Sequence, residues 1–102
     1  MRSDLEIDRA LALAIGWKDE PNKMRVSELF ESLQVWIGYW ANFSYKDWNV
    51  IGPIAERYNA FPVLFDGNPK WYSNAWSGTR LHEEFADTPQ KAIALAVIGA
   101  KK

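Results

Sequence analysis

Three stretches of the chain carry apolar residues at helical spacing and predict its main helices. Residues 3–16 begin with a Ser-x-x-Glu capping box and end at a glycine, which is the pattern of a capped helix. Residues 42–60 hold a second apolar stripe, capped by a Ser or an Asp. Pro53 within it predicts a kink or a late start, because proline lacks the amide hydrogen that a helix interior uses. Residues 87–102 begin with DTP, a cap followed by proline at the first helical position.

The third predicted helix is apolar on nearly every side between Ala92 and Ala100. A helix on a protein surface has one apolar and one polar face. We therefore expect this helix to lie deep between other layers, or in an interface between copies of the chain.

Other apolar stretches show the clustering or alternation of β-strands. Residues 61–65, 70–76 and 80–85 are separated by the turn sequences DGNP and SG, and together they predict a β-meander. Residues 35–40, VWIGYW, predict one more strand. Residues 18–34 are predicted as a polar connection followed by a short helix that begins at Ser27 and presents Val26, Leu29, Phe30 and Leu33.

These elements predict one domain over residues 1–102, because about 100 residues is a typical domain length. The expected fold class is α+β, a three-layer α-β-α sandwich in which three main helices accompany a mostly antiparallel sheet of about four strands.

Composition adds a high aromatic content, with six Trp and 15% aromatic residues among the 102. The formal net charge is −1 and the basic residues are scattered, which disfavours binding to nucleic acid. The absence of Cys excludes a disulfide framework and a thiolate metal site, and it fits a reducing cytoplasm. The N-terminus does not resemble a signal peptide, and no apolar run approaches the ~20 residues that a membrane span needs.

Catalytic chemistry finds little support in the sequence. His82 is the one imidazole, and on a strand it shares a face with Glu84, which could orient it as a general base. A polar strand face in solvent, with His82 paired to a carboxylate, is the preferred interpretation. The chain has no G-x-S-x-G elbow and no glycine-rich phosphate loop. We expect no catalytic residue, metal or cofactor, and no enzymatic activity.

The predicted meander supplies candidate ligand-binding residues. Trp71 faces one side of the strand, and Tyr72 and Trp76 face the other. Exposed rings could stack on a nucleobase or contact a partner protein, and Arg80 and His82 on the next strand could add charge for a phosphate or carboxylate. In a three-layer sandwich the expected alternative is that helices cover both faces of the sheet and the rings belong to the core.

Three segments, DLEIDRALALAIGW, DWNVIGPIAERYNAFP and FADTPQKAIALAVIGAKK, occur in the order helix, strand, helix, strands, helix. In this the chain resembles the phage ABA-sandwich family of small bacteriophage and prophage proteins. The resemblance implies an α-β-α sandwich with an antiparallel sheet. It also implies an accessory phage role without established biochemical activity, and it supplies no catalytic residues.

The expected function is non-catalytic binding in the cytoplasm of a bacterial host, to a host or phage protein or within a homo-oligomer. The alternative is the capture of a nucleotide-like small molecule in phage counter-defence, which would use the meander residues. A hydrolase based on His82 is a third hypothesis. A membrane partner is not expected.

Overall fold

A computed structural model describes residues 3–101, so Met1, Arg2 and the predicted helix end at Lys102 lie outside the described residues. The elements in chain order are α1 (Asp4–Ala14), β1 (Met24–Ser27), β2 (Ser32–Trp36), β3 (Trp40–Asn42), α2 (Trp48–Tyr58), β4 (Val63–Leu64), β5 (Trp71–Ser77), β6 (Arg80–Ala86) and α3 (Pro89–Ala100).

The three predicted helices are confirmed, and local capping bonds set their starts. The Glu6 amide donates to Ser3 Oγ over 3.2 Å, which forms the predicted capping box of α1. Asp47 caps α2, and Thr88 caps α3 ahead of its first-turn proline. The helix α2 begins at Trp48 and runs through Pro53, so it does not start late.

The first sheet has the antiparallel order β1-β2-β3, and it overturns two predictions. The short helix expected from Ser27 is wrong, because residues 24–36 form a hairpin in which Met24 pairs with Val35. The continuous strand over residues 35–40 is also wrong, because the chain turns at Gly38, whose φ is 99°. In the hairpin, Leu33 and Val35 lie on the same face of β2 and are both buried. This alternation, and not the predicted helical stripe, determines the structure of the segment.

The second sheet has the antiparallel order β4-β5-β6 and confirms the predicted meander. Its register places Tyr72 opposite Phe85 and Trp76 opposite Leu81. The expected single sheet of about four strands is wrong, since the strands divide into two sheets of three. Within residues 3–101, no strand of the first sheet pairs with a strand of the second.

The helix α3 is the central layer of the molecule. It contacts β5 and β6 on one side and α1 and α2 on the other, and α1 also contacts β2. One stripe of the helix, Lys91, Leu95 and Gly99, is half-buried. Its buried residues occupy the other sides of the axis: Ala92, Ile93, Ala94, Ala96, Val97, Ile98 and Ala100. The prediction that this helix lies deep between layers is confirmed, and its apolar surface is accounted for within one chain.

The α+β class with three helices is confirmed, whereas the α-β-α order of layers is not. Among the described residues, the one helix with extensive contacts to the β4–β6 sheet is α3. Within residues 3–101, none of the helices has the length and apolar character needed to cross a membrane.

Candidate functional site

The β4–β6 sheet turns its small and polar side chains inward, toward α3. Ser73, Ala75 and Ala86 are buried there, and His82 and Glu84 are half-buried beside them. Because side chains alternate along a strand, the bulky apolar residues of the same strands face outward. Leu81 and Phe85, which an ordinary half-buried strand would bury, are instead exposed.

We call the outward side of this sheet the aromatic face. Its apolar members are Val63, Phe65, Tyr72, Trp76, Leu81 and Phe85, and its polar members are Asn74 and Glu83. Trp76 is 58% exposed, Phe85 51% and Phe65 49%. The expectation that helices cover both faces of the sheet and that its rings belong to the core is therefore wrong.

The apolar area of the aromatic face follows from the exposed fractions of its side chains. Three rings about half exposed, each with ~200 Å² of surface, contribute ~300 Å², and Val63 and Leu81 extend this to roughly 400 Å². The largest apolar patch of a typical monomer is ~300–600 Å² and is often functional. The aromatic face therefore has the size of a binding surface.

Three rings at one end of the aromatic face hold one another in place. The ring centroids of Phe65 and Tyr72 are 5.4 Å apart, those of Phe65 and Phe85 are 5.9 Å apart, and those of Tyr72 and Phe85 are 5.1 Å apart. Edge-to-face and tilted contacts at these distances are favourable. The cluster is therefore ordered before any partner arrives, which lowers the entropy cost of binding.

A short polar row crosses the middle of the aromatic face. The Tyr72 hydroxyl donates to Glu83 Oε1 over 2.6 Å, and Asn74 Nδ2 donates to the same hydroxyl over 2.9 Å. The bond to the Glu83 carboxylate raises the pKa of Tyr72. Glu83 carries the one charge among the outward strand positions of this fully described sheet.

The five residues predicted as a ligand site do not form one site. Tyr72 and Trp76 lie on the aromatic face, as the alternation predicted, whereas Trp71, Arg80 and His82 lie on the opposite side of the sheet. There Trp71 is half-buried and Arg80 is exposed. The structure therefore forms no pocket that combines all these rings with a cation.

His82 is paired with a carboxylate, as predicted, but its strand face is not a solvent face. Its Nε2 lies 2.6 Å from Glu84 Oε2, and its ring lies directly over Gly99 of α3. The cavity next to it has a volume of only about 40 Å³, which is room for a water rather than a substrate. This geometry lends no support to a general-base role.

Gly99 is required by the position of the His82 ring. A Cβ at residue 99 would lie 1.9 Å from Nε2, so Gly99→Ala forces the ring away from Glu84. We expect the replacement to lower the free energy of unfolding by about 1–2 kcal/mol. In a His82→Ala background the same replacement should raise it by about 0.5–1 kcal/mol, because Ala favours a helix more than Gly does.

Urea unfolding of the four proteins in this double-mutant cycle measures the coupling. Equal effects of Gly99→Ala with and without the imidazole would contradict the contact between residues 82 and 99.

The sequence reasoning missed four apolar members of the aromatic face, namely Val63, Phe65, Leu81 and Phe85. A signal was present, because Leu81 and Phe85 alternate with Arg80, His82 and Glu84. In a half-buried strand this alternation favours an apolar side packed on the core, whereas the structure places Leu81 and Phe85 outward.

A polar row on the first sheet was also missed, because its strands were predicted as a helix and one continuous strand. Arg25 Nε donates to Gln34 Oε1 over 2.8 Å, and Gln34 Nε2 donates to Asn42 Oδ1 over 3.1 Å. The Arg25 guanidinium lies 4.2 Å from the centroid of the Trp40 ring, a cation–π contact. The row joins all three strands.

A titratable cluster fixes the segment before α2 against α1. Asp8 Oδ1 accepts the Tyr45 amide over 2.8 Å, and burial raises the pKa of Asp8 to about 6. The Tyr45 hydroxyl donates to Asp4 Oδ1 over 2.5 Å. Hydrogen bonds from Lys46 and Tyr45 lower the pKa of Asp4, and burial raises that of Tyr45. Within residues 3–101, no three His, Cys, Asp or Glu residues are grouped to hold a metal ion.

The fold is similar to that of a phage protein from Bacillus cereus ATCC 14579, which is known from a 2.0 Å crystal structure. The TM-score is 0.72 at 14% sequence identity, and the match covers 100% of this chain and 94% of the other. No protein-family profile and no curated protein sequence matches the chain. The similarity therefore establishes a shared fold, and the resemblance to the phage ABA-sandwich family stays a prediction.

Proposed function

We propose that this chain is a phage-derived accessory protein that works in the bacterial cytoplasm, without catalysis, by binding a protein through its aromatic face. The orientation of the β4–β6 sheet carries the proposal. The sheet packs its own helix against small residues and turns its bulky rings to solvent. Burial stabilises large apolar side chains most. Because these rings stay exposed in the monomer, the free energy of burying them is available for binding a partner.

The composition of the face supports a protein partner. Interface cores are rich in Tyr, Trp and Phe and poor in charge, and the outward strand positions have this composition with Glu83 as the single charge. The phage assignment is supported by the fold shared with the B. cereus phage protein. Capture of a nucleotide-like molecule gains no support, because Arg80 and Trp71 lie on the other side of the sheet from Tyr72 and Trp76.

Site-specific photo-crosslinking tests this proposal. A benzoylphenylalanine in place of Trp76, which is 58% exposed, should give a protein–protein crosslink in bacteria that express the chain. The same group in place of Tyr39 is the matched control, because Tyr39 is an aromatic residue, 64% exposed, in a turn of the first sheet. Crosslinks of equal yield at both positions, or none at position 76, would contradict the proposed surface.

A further inference from the structure

We infer that the partner on the aromatic face is a second copy of this chain, packed face to face about a two-fold axis. The inference rests on the proposed function, since it names the protein that the aromatic face binds. Two features of the face carry it, its apolar area and its antiparallel sheet surface, and its single charge supplies a test.

The apolar area matches what a dimer of this kind requires. A standard interface buries ~800 Å² on each partner, and about 65% of a homodimer interface is apolar, which corresponds to roughly 500 Å² per copy. The aromatic face provides roughly 400 Å² of this. Phe61, two residues before Val63 and 53% exposed, supplies about 100 Å² of the remainder.

The shape of the face also fits a copy of itself. Three antiparallel strands with outward rings form a twisted sheet surface, and such surfaces pack on other sheets with strands about 30° apart and ~10 Å between the sheets. A second copy presents the same twist and the same apolar composition. A two-fold axis makes that contact closed and self-complementary, which is the commonest form of oligomer.

The single charge distinguishes a homodimer from a complex with a basic partner. Glu83 lies in the middle row of the face, between the Tyr72–Phe85 pair and the Trp76–Leu81 pair. A two-fold axis that passes through this middle row brings the two Glu83 carboxylates near each other. Like charges at that place oppose association, so Glu83→Gln should strengthen a homodimer. A partner that offered a basic group to Glu83 would be bound less tightly after the same change.

Analytical ultracentrifugation of the purified chain, from about 1 μM to about 1 mM, tests the inference directly. The wild-type chain should show a concentration-dependent equilibrium between monomer and dimer. Phe85→Ser should raise the dissociation constant at least ~10-fold, because a central aromatic side chain is a typical interface hot spot. Glu83→Gln should lower it ~3- to 10-fold, and Tyr39→Ser should leave it unchanged.

Three outcomes would show that the partner is not a second copy of the chain. These outcomes are a monomer throughout the concentration range, a dimer weakened by Tyr39→Ser but not by Phe85→Ser, and a dimer weakened by Glu83→Gln. Circular dichroism confirms that each variant is folded, and Leu81→Ser repeats the test at a second outward position. If the chain is a monomer but position 76 still crosslinks to a different protein, the proposed function holds and only the identity of the partner is wrong.

Discussion

Replacing Ile93 with Ala is expected to lower the free energy of unfolding by about 3–4 kcal/mol, the largest effect of any single change considered for this chain. Ile93 has no exposed surface and lies on α3, between the β4–β6 sheet on one side and α1 and α2 on the other. The truncation removes buried methyl and methylene groups from a layer that is packed on both sides. The surrounding elements can close only part of the cavity, so the loss includes a cavity cost.

Phe85→Ala is the matched contrast, because the lost side chain is larger but half of it is already in water. Phe85 is 51% exposed and contacts Phe65 and Tyr72 on the aromatic face. We expect a loss of about 1 kcal/mol in the monomer. Urea unfolding of both variants, at concentrations too low for self-association, makes the comparison. If Phe85→Ala lowered the free energy of unfolding as much as Ile93→Ala does, Phe85 would belong to the core of the monomer.

A second large effect is expected from pH. Burial raises the pKa of Asp8 from 3.8 to about 6, so the folded chain binds a proton that the unfolded chain releases between these values. Stabilisation by this proton is complete below pH 3.8 and is lost as the pH rises through about 6. The free energy of unfolding should therefore fall by about 2–3 kcal/mol from pH 4 to pH 6.5 through Asp8 alone.

Asp8→Asn isolates this contribution. The Asn carbonyl oxygen can still accept the Tyr45 amide, which in the wild-type chain donates to Asp8 Oδ1 over 2.8 Å, but it does not titrate. The difference in unfolding free energy between variant and wild type should therefore change by about 2–3 kcal/mol between pH 4 and pH 6.5. Asp4 contributes little in this window, because its pKa is lowered and its effect on stability develops mainly as the pH falls through and below 3.8. A difference that is constant with pH would show that Asp8 is not desolvated.

The candidate site shows how far alternation along a strand can be interpreted. Alternation correctly separated Trp71 from Tyr72 and Trp76, and Arg80, His82 and Glu84 from Leu81 and Phe85. It did not show which side the helix would cover. The choice depends on volume, since α3 approaches the sheet over Ser73, Ala75 and Ala86 and accepts the His82 ring only because residue 99 is Gly. Bulky rings on that side would hold the helix and the sheet apart.

Long-range pairing explains the other failure, in residues 24–36. An apolar stripe at helical spacing, formed by Val26, Leu29, Phe30 and Leu33, predicted a helix. The hairpin forms because β2, paired with β1 on one side and β3 on the other, buries Leu33 and Val35 in the core. This burial outweighs the exposure of Leu29 and Phe30 in the turn. Short apolar segments fit both periods, and contacts distant in sequence decide between them.

Local signals in the sequence predicted the three helices, candidate caps for each and the meander, because bonds within a few residues and steric limits at Pro and Gly specify them. The sequence also predicted that α3 would be covered, either between layers or between copies of the chain, because a helix apolar on nearly every side is not a surface helix. The division of the strands into two sheets and the outward orientation of the rings on the second sheet are evident only in the folded chain. The sheet division and the orientation of the rings depend on how surfaces from segments distant in sequence fit together in volume and shape.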